Sequence, residues 1–230
     1  MPKSAVAVAT SLVASTDTLP AHLKAVQGSG RGNENVGQNV TIPRVKLLQK
    51  MSNEVDKNHA DFVKSAEVGM FVNTLTKQTY EEMYVISLNF KVQYAVWRDI
   101  QKGGGFGGTF DNEADALESV KNQDNSAEWD VVENHSHLIA VVDEETGELG
   151  QTPVIFDFTK SKLATSRSWN SKLSLQSGDR FASLWKITSK STQSRTGQQY
   201  ENLDVDLVGW ATEDNYKAAE KMYETHSTIR

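Results

Sequence analysis

Between Met83 and Trp97 the chain sets Val85, Ile86, Leu88, Phe90, Val92, Tyr94 and Val96 mostly two residues apart. Side chains two apart share one face of an extended strand, whereas a helix needs apolar residues three and four apart, so this run predicts a long strand. Shorter runs agree. Val40–Leu48 is apolar and basic, with Pro43 placed as at a strand edge. Gly69–Leu75 and Pro153–Phe158 are short and rich in β-formers. His137–Asp143 reads as a strand buried on both faces. Phe181–Thr188 and Leu203–Trp210 alternate cleanly. Thr159–Leu175 carries Leu163, Asn170 and Leu173 at helical spacing. Thr212–His226 has Thr212 as an N-cap and a stripe of Tyr216, Ala219 and Tyr223. Lys102–Phe110, with Gly103, Gly104, Gly105, Gly107 and Gly108 around Phe106, reads as a mobile loop.

These elements predict a mainly β fold: an OB-like, partly open Greek-key β-barrel with an inserted helix and a C-terminal helix, the alternative being a β-sandwich. Residues 1–39 are polar and small and read as a flexible segment, with a short helix around Ala21–Val26. Residues 40–230 form one domain, with an acidic insertion near 111–135 and the C-terminal helix at 212–226.

Cysteine is absent, which removes disulfides, thiol catalysis and thiolate metal sites. No apolar run reaches the roughly 20 residues of a membrane span, and the first residues lack a secretory pattern, so a cytoplasmic protein is expected. There is no Walker A sequence and no Gly-x-Ser-x-Gly elbow. Glu133, His135 and His137 share one strand phase but have no evident further ligand, and they read as a solvent-facing strand edge. Asp204 and Asp206 also share a face and read as facing water. Neither an enzyme nor a cofactor is expected.

Charge is unevenly spread. From Thr159 to Tyr200 there are eight basic residues (Lys160, Lys162, Arg167, Lys172, Arg180, Lys186, Lys190 and Arg195) against Asp179 alone, although the chain has a formal charge of −6. From Asp111 to Glu148 there are twelve acidic residues against Lys121. A basic segment bearing aromatic residues suits single-stranded nucleic acid, where cations track phosphates and aromatic faces stack on bases. Two stretches supply both: Tyr94 to Arg98 followed by Lys102 and Phe106, and Lys162 to Arg195. Among the aromatics, Trp185 reads as core, Trp97 as core or surface, Trp169 as at least half exposed, Phe106 as a plug or a stacking residue, and Trp129 and Trp210 as structural.

Several ordered pieces resemble a group of bacteriophage single-stranded DNA-binding proteins. They are Gly32–Val36, Ile42–Gln49, Val68–Thr76, Tyr94–Arg98 before the glycine loop, Phe158–Lys162 with Ser166–Ser171, and Gly209-Trp210. The resemblance implies an OB-type barrel that coats displaced DNA during phage replication or recombination. It carries over Arg44, Lys46, Tyr94, Trp97, Arg98, Arg167, Trp169 and Lys172 as contacts. Such proteins commonly end in an acidic tail. Glu224–Arg230 is not one, so either the acidic stretch Asp111–Glu133 plays that part from inside the chain or the protein lacks that regulation.

The expected function is sequence-tolerant binding of single-stranded DNA. The expected contacts are Arg44, Lys46, Tyr94, Trp97, Arg98, Lys102, Phe106, Lys162, Arg167, Trp169, Lys172, Lys186, Lys190 and Arg195. Replication or recombination proteins and further copies along DNA are the expected partners, with no membrane. The alternative is an all-β interaction or virion-assembly protein whose basic face meets an acidic partner. A metal-dependent nuclease using Asp204, Asp206 or the two histidines ranks third.

Overall fold

The computed structural model describes residues 20–24 and 41–226. The chain divides into two units, Met1–Thr41 and Ile42–Arg230. In the first, Ala21–Lys24 form a single helical turn, α1, within the span read as helical; the rest of the 1–39 reading lies outside the described residues.

The second unit is one nine-stranded sheet with helices on both faces. Its strands are β1 (Arg44–Leu47), β2 (Phe71–Asn73), β3 (Thr79–Tyr80), β4 (Met83–Arg98), β5 (Phe106–Phe110), β6 (Trp129–Val142), β7 (Val154–Thr159), β8 (Ser183–Gln193) and β9 (Gln199–Trp210). Its helices are α2 (Glu113–Lys121), α3 (Leu163–Ser174) and α4 (Glu213–His226). The strands run in the order β3-β2-β1-β7-β6-β4-β8-β9, with β5 also on β4. Only β1 and β7 pair in parallel. The long strand read from the alternation is therefore the spine: one edge of β4 pairs with β6 along its length, and the other is shared by β8 near Met83 and β5 near Trp97.

Phe71 and Leu47, near one end of the strand order, and Leu203 and Val205 at the other belong to a single buried cluster with Trp169 and Leu173 of α3. A sheet whose distant strands share one cluster must curl around it, so α3 sits on the concave face of an open half-barrel. The fold is thus the mainly β, OB-like, partly open arrangement expected, with α3 inserted between β7 and β8 and α4 at the end. On the convex face, Ile86, Leu88, Ala140, Val142 and Phe181 pack under α4 through Ala219, Tyr216 and Met222. Thr212 Oγ1 accepts from the Asn215 amide, the expected cap of α4. A bulge at Leu88, between the pairs Ser87–Ile139 and Asn89–Leu138, switches which face the later residues of β4 present.

Two segments differ from the sequence reading. The glycine stretch ends in strand β5, because Gly107 lies where a Cβ would come within 2.8 Å of Val96 Cγ1 and 3.0 Å of Trp129 Cζ3. Glycine allows this close strand approach, and what looked like looseness is tight packing. The acidic stretch holds α2, capped by the Asn112 side chain accepting from the Asp115 amide, with Glu113 and Asp115 in its first turn.

The strand order ends at β3 and β9, and the edge of β9 is closed by side chains. Gln49 bonds both backbone groups of Glu201, donating from Nε2 to its carbonyl and accepting its amide at Oε1, each at 2.9 Å. Thr165 Oγ1 donates to the Leu203 carbonyl and Lys172 Nζ to the Val205 carbonyl. Asn202 Oδ1 accepts the Leu203 amide. An amide side chain thus stands in for a missing strand at the seam. Gln49→Ala is expected to cost about 1–3 kcal/mol. Amide hydrogen exchange at Glu201 should accelerate more than at the paired β4–β6 amides, and unchanged exchange at Glu201 would rule out the latch.

Candidate nucleic-acid interface

The fold pairs most of the cations expected to contact DNA with acids. Of the ten cations expected to meet DNA, seven form ion pairs. Arg44 pairs with Asp157, Lys46 with Glu54, Arg98 with Glu128, and Arg167 with Glu133. Lys172 pairs with Asp206, Lys186 with Glu82, and Lys190 with Asp204. Lys46 serves a carboxylate that is 5% exposed, so removing it would strand a buried charge. Lys172 is held to the β9 edge at 2.7 Å by the Val205 carbonyl. Lys186 also lies 5.5 Å from the Tyr84 ring centroid. Lys102, Lys162 and Arg195 have no ion-pair partner among the described residues. Burial, and then the charge of Lys160, push the Lys162 ammonium below its ordinary value. Lys160 is exposed, unpaired and in a left-handed conformation (φ 52°) just before α3, and it joins these cations as one the site reading left out.

The aromatics divide sharply. Trp97 is 49% exposed and Phe106 58% exposed, and their ring centroids lie 4.8 Å apart. They face each other because the β4–β5 register skips Gly107, pairing Trp97 with Phe106 directly. Ile100, in the turn between them, is also exposed. Tyr94 is half-buried and, by strand alternation, on the opposite face from Trp97. Trp185 is core, as expected. Trp169 corrects the reading: it is fully buried, at the centre of the concave face, and cannot stack on a base. Its neighbour Ser168 lies on the exposed side of α3, while Trp169 and Leu173, four apart, lie on the inner side, where Asn170 is held by Arg180. Trp129 is half-buried beside Gly105 and Gly107, whereas Trp210 is 65% exposed.

His135 and His137 also correct the reading. They are buried, at 4% and 0% exposure, rather than on a solvent-facing edge. Their hydrogen bonds form a single directed chain. Arg180 Nη2 donates to His137 Nδ1 at 3.2 Å, which makes that nitrogen an acceptor and the ring neutral. His137 Nε2 then donates to Ser166 Oγ at 2.8 Å, Ser166 Oγ lies 2.8 Å from His135 Nδ1, and His135 Nε2 donates to Glu133 Oε1 at 2.8 Å. Arg167 Nη2 closes the chain on Glu133. Burial, followed by the charges of Arg180 and His135, holds the His137 imidazolium well below the usual histidine range. Burial pushes the Glu133 carboxyl up, but bonds from His135 and Arg167 outweigh it and leave it lower than usual. Ser166 is fully buried, so this serine–histidine–carboxylate line has no access to a substrate. The shared phase of Glu133, His135 and His137 was the sequence signal for it. Among the described residues no cluster of histidine and acidic side chains is arranged to hold a metal ion, and no helix is long and apolar enough to cross a membrane.

A protein-family model described as Pam3 phage gp34-like protein matches residues 12–229. No curated protein and no solved structure matches the chain.

The histidine chain makes stability depend on pH in a defined window. A histidine kept neutral by the fold contributes fully above its unfolded pKa of about 6.5, and that contribution is lost as pH falls below it, by up to about 1.4 kcal/mol per pH unit. Urea midpoints should therefore fall between pH 7.5 and 5.5. His226, lowered by partial burial, adds to the same window. His137→Phe should be less stable at pH 7.5 yet show a shallower loss on acidification. An equally steep loss in that variant would exclude His137 as a source.

Proposed function

The chain belongs to the Pam3 phage gp34-like protein family, a bacteriophage family, and we propose that it binds single-stranded DNA without sequence preference and without catalysing a reaction. The observation that supports this reading is the exposed Trp97–Phe106 pair at the end of the β4–β5 hairpin, with unpaired Lys102 in the connecting turn. Exposed aromatic faces bind any base by stacking, which contributes roughly 1–3 kcal/mol per base. Their contact with each other forms one platform, held in place by the β4–β5 pairing.

The electrostatic part is smaller than the sequence suggests. Apart from the inward-facing Arg180, the cations of the basic segments without an ion-pair partner among the described residues are Lys102, Lys160, Lys162 and Arg195. Exposed pairs such as Arg167–Glu133 and Lys190–Asp204 contribute only about 0–1 kcal/mol each and exchange readily for phosphate. Phosphate contacts by the four free cations alone would give a log–log salt slope no steeper than about −3. Trp169 and Lys46 act in the fold, and Arg44, Arg98, Lys172 and Lys186 are secondary contacts at most.

One observation favours the alternative of a protein-binding module. Asp130 is the register partner of Trp97, and Asp99 follows Arg98, so carboxylates flank the aromatic platform. Such a face also suits a basic protein segment, through cation–π contact. Titration of a roughly 30-nucleotide oligo(dT) at two salt concentrations, with duplex as control, separates the two. The DNA reading expects quenching of tryptophan fluorescence, weaker binding to duplex, and a loss of about 5- to 150-fold in affinity for Trp97→Ala. Absence of binding at low salt would overturn it and leave the platform to a protein partner.

A further inference from the structure

The two ends of β8 are chemically unlike. At its start, Asp179, Arg180 and Phe181 line a cleft of about 400 Å³ together with Asn89 of β4 and Glu220 and Tyr223 of α4. Arg180 is fixed in place, with Nε donating to Ser87 Oγ and Nη2 to Asn170 Oδ1 and His137. Among the described residues its Nη1 has no hydrogen-bond acceptor and its charge no carboxylate partner. Burial brings its guanidinium down to about 10. The cleft wall is negative. Tyr216 donates to Asp179 at 2.6 Å, and that bond, followed by burial and the charges of Asp179 and Glu220, pushes its hydroxyl up to about 12. A ligand that satisfies this cleft must carry a cation toward Asp179 and Glu220 and an acceptor oxygen toward Arg180 Nη1.

The far end of β8 has those groups. Ser194–Gln198 is a tight turn braced by bonds from the Gly197 amide to the Ser194 carbonyl and from the Gln198 amide to Ser194 Oγ. Arg195 is exposed in this turn, and the carbonyls of Arg195 and Thr196 accept no hydrogen bond among the described residues. Among the described arginines, Arg44, Arg98 and Arg167 are ion-paired and Arg180 faces inward, which leaves Arg195 as the one free to reach a partner. Cleft and turn cannot meet within one chain, because the 11 residues of β8 separate them, a span of about 35 Å.

We propose that the Arg195 turn of one copy docks in the cleft beside Asp179 and Glu220 of the next, so that copies assemble head to tail. The contact uses different surfaces on the two copies, so it joins them head to tail and leaves a free turn and a free cleft on every pair, rather than closing as a two-fold dimer. The charge complementarity lies within a single sequence, which favours a second copy over an unrelated cationic partner. The inference does not depend on DNA binding.

The test is sedimentation velocity of the full chain across concentration, without nucleic acid. Wild type is expected to associate beyond a dimer as concentration rises. Arg195→Glu and Glu220→Lys should each weaken association by at least about 10-fold, since each opposes like charges. Both positions are exposed, and unchanged circular dichroism confirms folding. An equimolar mixture of the two variants should assemble again, because the glutamate turn fits the lysine cleft and the arginine turn fits the intact one. The proposal is overturned if wild type stays monomeric, if either reversal leaves assembly unchanged, or if the mixture does not recover. Binding of a short oligo(dT) by Glu220→Lys is read separately, so failure of the assembly test leaves the DNA reading standing, and the reverse.

Discussion

Trp169 stacks on His137 with ring centroids 4.5 Å apart and planes 12° from parallel, and it meets Trp185 edge-on on its other side. It is the contact through which the curled sheet acquires an interior. An open sheet has two faces to cover and no closed barrel to enclose a core. Here α4 covers the convex face and α3 fills the concave one, so side chains from both ends of the strand order reach one cluster. The helix that does this is not simply amphipathic: Ser166 and Asn170 lie inward alongside Trp169 and Leu173. They are tolerated because His135, His137 and Arg180 satisfy them with directed hydrogen bonds. Buried polar groups are costly only when unpaired.

The same economy governs the sheet edge. An exposed edge strand invites pairing with other chains. On β9 the groups from Glu201 to Val205 are taken by Gln49, Asn202, Thr165 and Lys172, so α3 both fills the concave face and seals its rim. Lys172 is then a structural cation whose charge happens to sit at the surface. Growth of an assembly through β9 is blocked along this stretch, which is consistent with a contact made at the ends of β8 instead.

Charge polarity along the chain does not become charge polarity on the surface. Basic residues of α3, β8 and the start of β1 meet acids brought to them by strand pairing, such as Glu133 to Arg167 and Asp157 to Arg44. The proposed nucleic-acid surface therefore leans on the Trp97–Phe106 platform more than on a basic stripe. That shifts the weight of recognition from the long-range, salt-sensitive term to the short-range, stacking one.

The sequence by itself determined the mainly β class, the long strand β4, the two late helices and the cap of α4. Each of these is a local pattern, with period two, period three to four, or a single capping side chain, and burial of one face follows directly from it. Glycine misled, because Gly107 and a flexible linker glycine look alike until Val96 and Trp129 close on it. Trp169 and the two histidines misled in the same direction: each was read as exposed and each is buried. Tertiary structure alone decided which cations remain free, which aromatics reach solvent, and that Gln49 would bridge 152 residues to Glu201. The physical reason is common to all three. Ion pairing, close packing and polar burial depend on partners distant in the chain, and no local period records who those partners are.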